Sequence, residues 1–114
     1  MNYSKKHDQV AVSTVYHFHP YYFGLVPYGA RPQWPFDYEP VAQVLEADLE
    51  QVFYLTQNIE LSKEEEARVD WIDPLRPNRS TMIGDVVEVN VGNGPIVWRL
   101  ECDRWEQISA GTDE

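Results

Sequence analysis

The chain has 114 residues, a length that fits a single domain. Its formal net charge of -10 disfavours direct binding to nucleic acid or to an anionic membrane, because both need clustered lysine and arginine. The one cysteine, Cys102, excludes an intramolecular disulfide. Neither a signal peptide nor a membrane-spanning stretch is visible, so we expect a cytoplasmic protein.

The first elements in chain order are a polar terminus and a strand. Residues 1–8 are polar and predict a flexible terminus. Residues 10–18 then alternate, with Val12, Thr14 and Tyr16 on one side of the chain and Val15 and His17 on the other. Alternation of β-branched and aromatic residues is typical of a half-buried strand.

Residues 20–40 are rich in both proline and aromatic side chains. Proline disfavours a regular helix or a central strand, and the aromatic content disfavours disorder. We therefore predict an ordered loop with a short strand at residues 22–26. Two interpretations of the aromatic side chains stay open: they cover the core, or they form a partner or homodimer surface with Tyr28 and Trp34 as candidate residues.

A strand predicted at residues 41–45 precedes the clearest helix signal in the chain. Asp48 is a suitable N-cap, Gln51 completes the spacing of a capping box, and Asn58 can close the helix in a left-handed conformation. Apolar residues at helical spacing predict one buried stripe, made of Leu49, Val52, Phe53, Thr56 and Ile59.

A shorter helix is predicted at residues 63–69, where Ser62 and Glu65 have the spacing of a second capping box. Residues 46–73 hold nine acidic residues against Lys63 and Arg68, a net charge of -7. This acidic helical face is either simply solvated or a dock for a basic partner, with a tryptophan beside it as an anchor. The candidate partner-binding residues are Glu50, Glu64, Glu65, Glu66, Asp70 and Trp71.

Residues 87–91 and 96–102 alternate on either side of Gly92-Asn93-Gly94 and predict a β-hairpin in which Cys102 faces inward. A last short strand carries Trp105 and Ile108, and residues 109–114 form a polar tail. Together these elements predict one α+β domain over residues 1–114. Its small antiparallel sheet contains the C-terminal hairpin and is accompanied by one main helix and one short acidic helix.

No catalytic motif is visible, so we expect a protein that is not an enzyme and uses no cofactor. His17 and His19 fall on the same side of a strand and are candidates for sharing a metal ion, although no third ligand has a matching spacing. Cys102 lies between Glu101 and Asp103, whose negative charge disfavours a reactive thiolate.

The second half of the chain carries a longer pattern. It consists of Arg79-Ser80-Thr81-Met82-Ile83-Gly84-Asp85-Val86-Val87, then Trp98, Cys102-Asp103 and residues 105–108, after a helix with Val52-Phe53 and Asn58. Over about residues 41–108 the chain resembles the YodL-like family of small bacterial, phage and mobile-element proteins. The resemblance implies no catalytic residues. Gly84 and Asp85 are interpreted as a turn before a strand, in which the Asp85 carboxylate accepts backbone amide hydrogens.

The sequence favours a non-enzymatic protein-interaction or regulatory module that binds a basic partner through the acidic helical face. Three alternatives stay open. The acidic face mimics nucleic acid and occupies a DNA- or RNA-binding protein; or the chain binds nucleic acid itself, because residues 84–89 loosely resemble PUA-like barrels; or it is a metal-dependent enzyme that uses His17 and His19.

Overall fold

The computed structural model describes residues 12–92 and 94–108. Within them, one antiparallel sheet has the strand order β3-β2-β1-β4-β5-β6, and two α-helices accompany it, which confirms the predicted α+β class. None of these helices is long and apolar enough to cross a membrane. The predictions for residues 1–8 and 109–114 lie outside the described residues. The elements are β1 (Ser13–Phe18), β2 (Tyr38–Val44), α1 (Leu49–Leu55), α2 (Lys63–Glu66), β3 (Val69–Trp71), β4 (Val86–Val91), β5 (Gly94–Leu100) and β6 (Trp105–Ile108).

β1 lies at the centre of the sheet, hydrogen-bonded to β2 on one side and to β4 on the other. The face that carries Val15 and His17 is the more deeply buried one. Between Val15 and Tyr16 the register with β2 shifts, so β2 holds one extra residue, Val41, at that point. This bulge explains why Val41 and Ala42 are both buried although they are neighbours in a strand.

α1 begins with a side-chain cap and packs its apolar side on the sheet. The Asp48 carboxylate accepts the backbone amide of Glu50 at 2.9 Å, which satisfies one of the free amides at the helix start. The reciprocal bond from Gln51 is not formed, so the first of the two predicted capping boxes is wrong. The main buried apolar cluster joins the helix to the sheet and consists of Val15, Val41, Ala42, Val44, Val52, Leu55, Val87 and Val89.

α1 ends earlier than the sequence predicts. Its last residue is Leu55, and the buried Thr56 follows as the C-cap with its hydroxyl turned inward. The predicted closure at Asn58 is therefore wrong. Ile59 lies beyond the helix and is 51% exposed, so its place in the buried stripe is also wrong.

α2 begins at the predicted capping box, in which the Ser62 hydroxyl accepts the Glu65 amide and the Glu65 carboxylate accepts the Ser62 amide. It has four residues and does not extend over the predicted 63–69. The chain from Val69 to Trp71 pairs with β2 instead, so strand pairing overrides the local helical pattern.

The connection between β1 and β2 contains two 3-10 helices, Pro20–Tyr22 and Val26–Tyr28. Each has a proline at one of its first positions, where a fixed φ suits a helical turn and a missing N–H leaves no bond unmade. The predicted strand at residues 22–26 is therefore wrong.

β4 and β5 form the predicted hairpin, and β6 adds a further antiparallel strand to its outer side. β5 ends at Leu100, after which the chain turns and the Glu101 amide donates to the Arg104 carbonyl at 2.7 Å. Cys102 lies exposed in this turn. The prediction that it faces inward is wrong because the strand stops before reaching it.

Candidate functional site

The turn before β4 holds a fully buried carboxylate, that of Asp85. It accepts the backbone amides of Phe18 at 3.1 Å and Met82 at 2.7 Å, which confirms the predicted role of Asp85 as an acceptor in this turn. The Arg79 guanidinium adds two parallel donors at 2.7 and 2.8 Å. Burial raises the pKa of Asp85, while Arg79 and the two amides oppose that rise by stabilising the carboxylate.

Next to this pair, His17 begins a buried chain of hydroxyl groups. Its Nε2 lies 3.1 Å from Oγ1 of Thr81, which lies 2.8 Å from Oγ1 of Thr56. The Thr56 hydroxyl donates to the Val52 carbonyl at 2.8 Å, so it accepts from Thr81, and Thr81 in turn accepts from His17. This order of donors places the His17 proton on Nε2. The chain ties the centre of β1 to the end of α1.

His17 is held in its neutral form. Its side chain is 5% exposed, and burial together with the charges of Arg79 and Arg76 lowers its pKa to about 3. The 3.8 Å separation between its Nε2 and the Asp85 carboxylate is therefore not an ion pair at neutral pH. The ion pair of this cluster is Asp85 with Arg79.

A groove of about 420 Å³ opens beside this cluster, and we call it the arginine groove. Its wall includes His17, Phe18, Phe23, Arg76, Pro77 and Arg79. The Arg79 guanidinium lies 4.6 Å from the centre of the Phe18 ring and 5.5 Å from that of Phe23. This places a cation against two aromatic rings, an arrangement that attracts it to both.

A second groove, of about 370 Å³, lies between the end of α1, α2 and β3, and we call it the tryptophan groove. Its wall includes Leu55, Ile59, Leu61, Glu66, Val69 and Trp71. Asn78 contributes to both grooves, so the 74–79 segment runs between them. Thr56 lines this groove and His17 lines the other, so the buried hydroxyl chain joins their walls.

The structure separates the predicted acidic candidates. Glu66 lines the tryptophan groove, and Glu64 is exposed on the same helix. Glu65 accepts the Tyr54 hydroxyl at 3.0 Å as well as the Ser62 amide, so it is engaged in holding α2 to α1. Glu50 is exposed one turn before Tyr54.

Two further candidates lie on β3, where neighbouring side chains point to opposite faces. Trp71 is half-buried against the core and lines the tryptophan groove. Asp70 is exposed on the other face, so it does not belong to the groove that Trp71 forms.

The two aromatic candidates of residues 20–40 differ in their surroundings. Trp34 packs edge-on against Tyr16 and Tyr38, with ring centres 4.8 and 5.5 Å away, and covers part of the sheet. Tyr28 is 88% exposed and Phe36 is 85% exposed. One part of the segment therefore covers the core and the other part is displayed.

The two histidines do not come together as the strand pattern predicts. β1 ends at Phe18, and His19 lies beyond it as the cap of a 3-10 helix, exposed, with Nδ1 accepting the Tyr21 amide at 3.0 Å. Among residues 12–92 and 94–108 there is no group of three or more histidine, cysteine, aspartate or glutamate side chains suited to hold a metal ion.

The partners of Asp85 and His17 were not predicted from the sequence. Thr56 belongs to the predicted apolar stripe and Arg79 and Thr81 to the pattern similar to the YodL-like family, but neither pattern indicates a bond to Asp85 or His17. One signal was available: an arginine precedes the aspartate by six positions across a glycine-containing turn. The contact between Thr56 and Thr81 could not be predicted from a local pattern, because the two residues are 25 positions apart.

Comparisons of the chain with protein-family models, with curated proteins and with solved structures found no match. The resemblance to the YodL-like family therefore stays a prediction that depends on its motif alone.

Proposed function

We propose that the protein is a non-catalytic interaction module that binds a basic segment of a partner protein in the tryptophan groove. The observation that carries the proposal is a groove of mixed polarity with Trp71 and aliphatic side chains in part of its wall and the carboxylate of Glu66 beside them. The apolar part of the wall accepts one aliphatic or aromatic side chain of the partner, and the carboxylate selects positive charge beside it.

Three carboxylates belong to this groove or to the chain next to it. Glu66 lines the groove itself, Glu64 lies on the same helix, and Glu60 lies between two groove residues, Ile59 and Leu61. All three are exposed, and none forms a salt bridge with another residue of the described ranges. A partner lysine or arginine would meet them without first displacing an internal cation.

Trp71 supports the same proposal. It is half-buried, so its ring is held in place by the core while part of it is left for contact. A tryptophan held in this way loses little conformational entropy when a partner binds, which is one reason that tryptophan is frequent at the centre of interfaces. A cytoplasmic setting and an origin in a mobile element stay predictions from the sequence.

The test uses a synthetic peptide with one leucine between pairs of lysines, titrated by calorimetry or fluorescence anisotropy. We expect saturable binding that weakens between about 0.1 M and about 1 M salt, over which the Debye length falls from about 10 Å to about 3 Å. The triple variant Glu60→Gln/Glu64→Gln/Glu66→Gln should weaken binding by about tenfold or more, which corresponds to about 1.4 kcal/mol.

The matched control removes the same number of charges elsewhere, with Glu88→Gln/Asp103→Asn/Glu106→Gln on the β4-β5-β6 side of the sheet. It should leave the affinity nearly unchanged. Equal losses in the two triple variants would show that the peptide responds to net charge only. A peptide with glycine in place of leucine that binds equally well would show that no apolar contact with the groove contributes to binding.

A further inference from the structure

The arginine groove contains a buried polar group whose hydrogen bonding is incomplete. His17 is 4% exposed, and its Nε2 is engaged with Thr81. The other ring nitrogen, Nδ1, has no hydrogen-bond partner within the ranges that the structure describes. Because the proton is on Nε2, Nδ1 is an acceptor, and a buried acceptor without a donor is unfavourable. A ligand in the groove that brings a donor would satisfy it.

At the rim of the groove, Arg76 offers hydrogen-bond donors, whereas His17 offers an acceptor. The Nη2 atom of Arg76 is paired with Glu39 at 2.8 Å, which leaves Nη1 and Nε without partners among the described residues. Arg76 is close enough to His17 for its charge to act on the imidazole. Glu39 also lines the groove and balances the charge of Arg76, as Asp85 does for Arg79, so these four charges cancel. A ligand anion is therefore held by hydrogen bonds from Nη1 and Nε of Arg76 and not by a net positive charge, which suits a single carboxylate better than a doubly charged group.

Between these two ends the groove is lined by aromatic rings. Phe23 is 56% exposed, whereas Phe18 is 2% exposed, and the Arg79 guanidinium lies against both rings. Arg79 is fixed by its two bonds to Asp85, so it cannot turn away when a ligand enters. A planar ring can stack on Phe23 beside Pro20 and Pro77. The volume of about 420 Å³ lies within the range of about 300 to 1,000 Å³ that is common for small-molecule sites.

We propose that the arginine groove binds a planar aromatic monocarboxylate that carries a hydroxyl or N–H group, with this donor meeting Nδ1 of His17 and the carboxylate meeting Arg76. The site is separate from the peptide surface proposed above, and either can exist without the other. Its specificity comes from the buried acceptor, since an analogue without a donor leaves Nδ1 unpaired.

The probe is 4-hydroxybenzoate, titrated into the full chain by calorimetry or by NMR, with benzoate and 4-methoxybenzoate as comparators that lack the donor. We expect 4-hydroxybenzoate to bind saturably and at least about tenfold more tightly than either comparator, which corresponds to about 1.4 kcal/mol, because only 4-hydroxybenzoate can donate a hydrogen bond to the buried acceptor. Its addition should also shift the ¹⁵N signal of His17 Nδ1, which the comparators should leave in place.

Two variants that spare the buried cluster locate the site. Arg76→Gln and Phe23→Ala change exposed side chains of the groove and should each weaken binding of 4-hydroxybenzoate by about fivefold or more. Arg104→Gln and Phe36→Ala are the controls, with exposed side chains outside the groove, and should bind like the unchanged chain. Equal affinity for 4-hydroxybenzoate and benzoate, no saturation at millimolar concentration, or indifference to Arg76→Gln would each overturn the proposal.

Discussion

Asp85 and Arg79 form the ion pair on which the turn before β4 depends. The carboxylate is fully buried and accepts four N–H donors, two of them from backbone amides that belong to different parts of the chain. A buried pair of this kind adds little stability by itself, but the loss of one member leaves the other without a counter-charge.

Replacing Asp85 by asparagine should therefore be costly. Asp85→Asn keeps the shape of the side chain but leaves the Arg79 guanidinium, 23% exposed, without a counter-ion and two backbone amides facing a weaker acceptor. We expect a loss of about 2 to 4 kcal/mol in the free energy of unfolding, measured by urea denaturation. Asp103→Asn, whose side chain is 77% exposed, should cost less than about 0.5 kcal/mol. Similar losses in the two variants would contradict the role given to Asp85.

His17 should make the stability depend on pH. Its pKa is about 3 in the folded protein and about 6.5 when unfolded, so between these values the unfolded chain binds more protons. The contribution of neutral His17 to the free energy of unfolding is fully present above pH about 6.5 and is lost progressively as the pH falls. From pH about 7 to about 4.5 the loss from this residue should be about 2 to 3 kcal/mol.

The measurement compares urea unfolding of the unchanged chain and of His17→Gln at both pH values. The difference between the two proteins should shrink on acidification by that amount, because their other titrating groups are the same. Phe36→Ala changes an exposed side chain that does not titrate, so it serves as the control and should keep a constant difference. Parallel pH profiles for the unchanged chain and His17→Gln would show that His17 is not buried in its neutral form.

At the scale of the elements, the predictions that succeeded are those that local sequence decides. The hairpin of β4 and β5 follows from alternation around glycines, and the start of α2 follows from the Ser62 and Glu65 capping box. The predictions that were wrong concern features that depend on contacts with residues distant in sequence. α2 stops early because β3 pairs with β2, and α1 stops at a residue, Thr56, whose side chain bonds to the distant Thr81.

Gly84 illustrates such a long-range constraint. It has φ of 99°, and a Cβ there would lie 3.2 Å from the Phe18 ring, which is 2% exposed and has little room to shift. Gly29 has a similar φ of 102° with open space around it. Alanine at either position is strained by the positive φ, but only Gly84→Ala also brings a Cβ too close to the Phe18 ring. We expect Gly84→Ala to cost about 1 to 2 kcal/mol more than Gly29→Ala in thermal or urea unfolding. Equal costs would mean that Phe18 is free to adjust.

Over the whole molecule, the two grooves differ in charge although the 74–79 segment contributes to both. The tryptophan groove has the carboxylate of Glu66 in its wall, and the arginine groove has two of the nine lysine and arginine residues of the chain. The sequence predicted the acidic character of residues 46–73 and placed Trp71 beside it. It could not predict which acids share a groove with Trp71, because Asp70 and Trp71 are neighbours in sequence but point to opposite faces of β3.

The most direct test of the proposed function follows the indole N–H signals of the four tryptophans by NMR while the lysine and leucine peptide is added. Trp71 lines the proposed groove, whereas Trp34 packs against Tyr16 and Tyr38. Trp71→Phe assigns the signal. The account predicts that the Trp71 signal shifts in a saturable manner while the other three stay in place. A peptide that binds while the Trp71 signal does not move, or that moves the Trp34 signal instead, would contradict it.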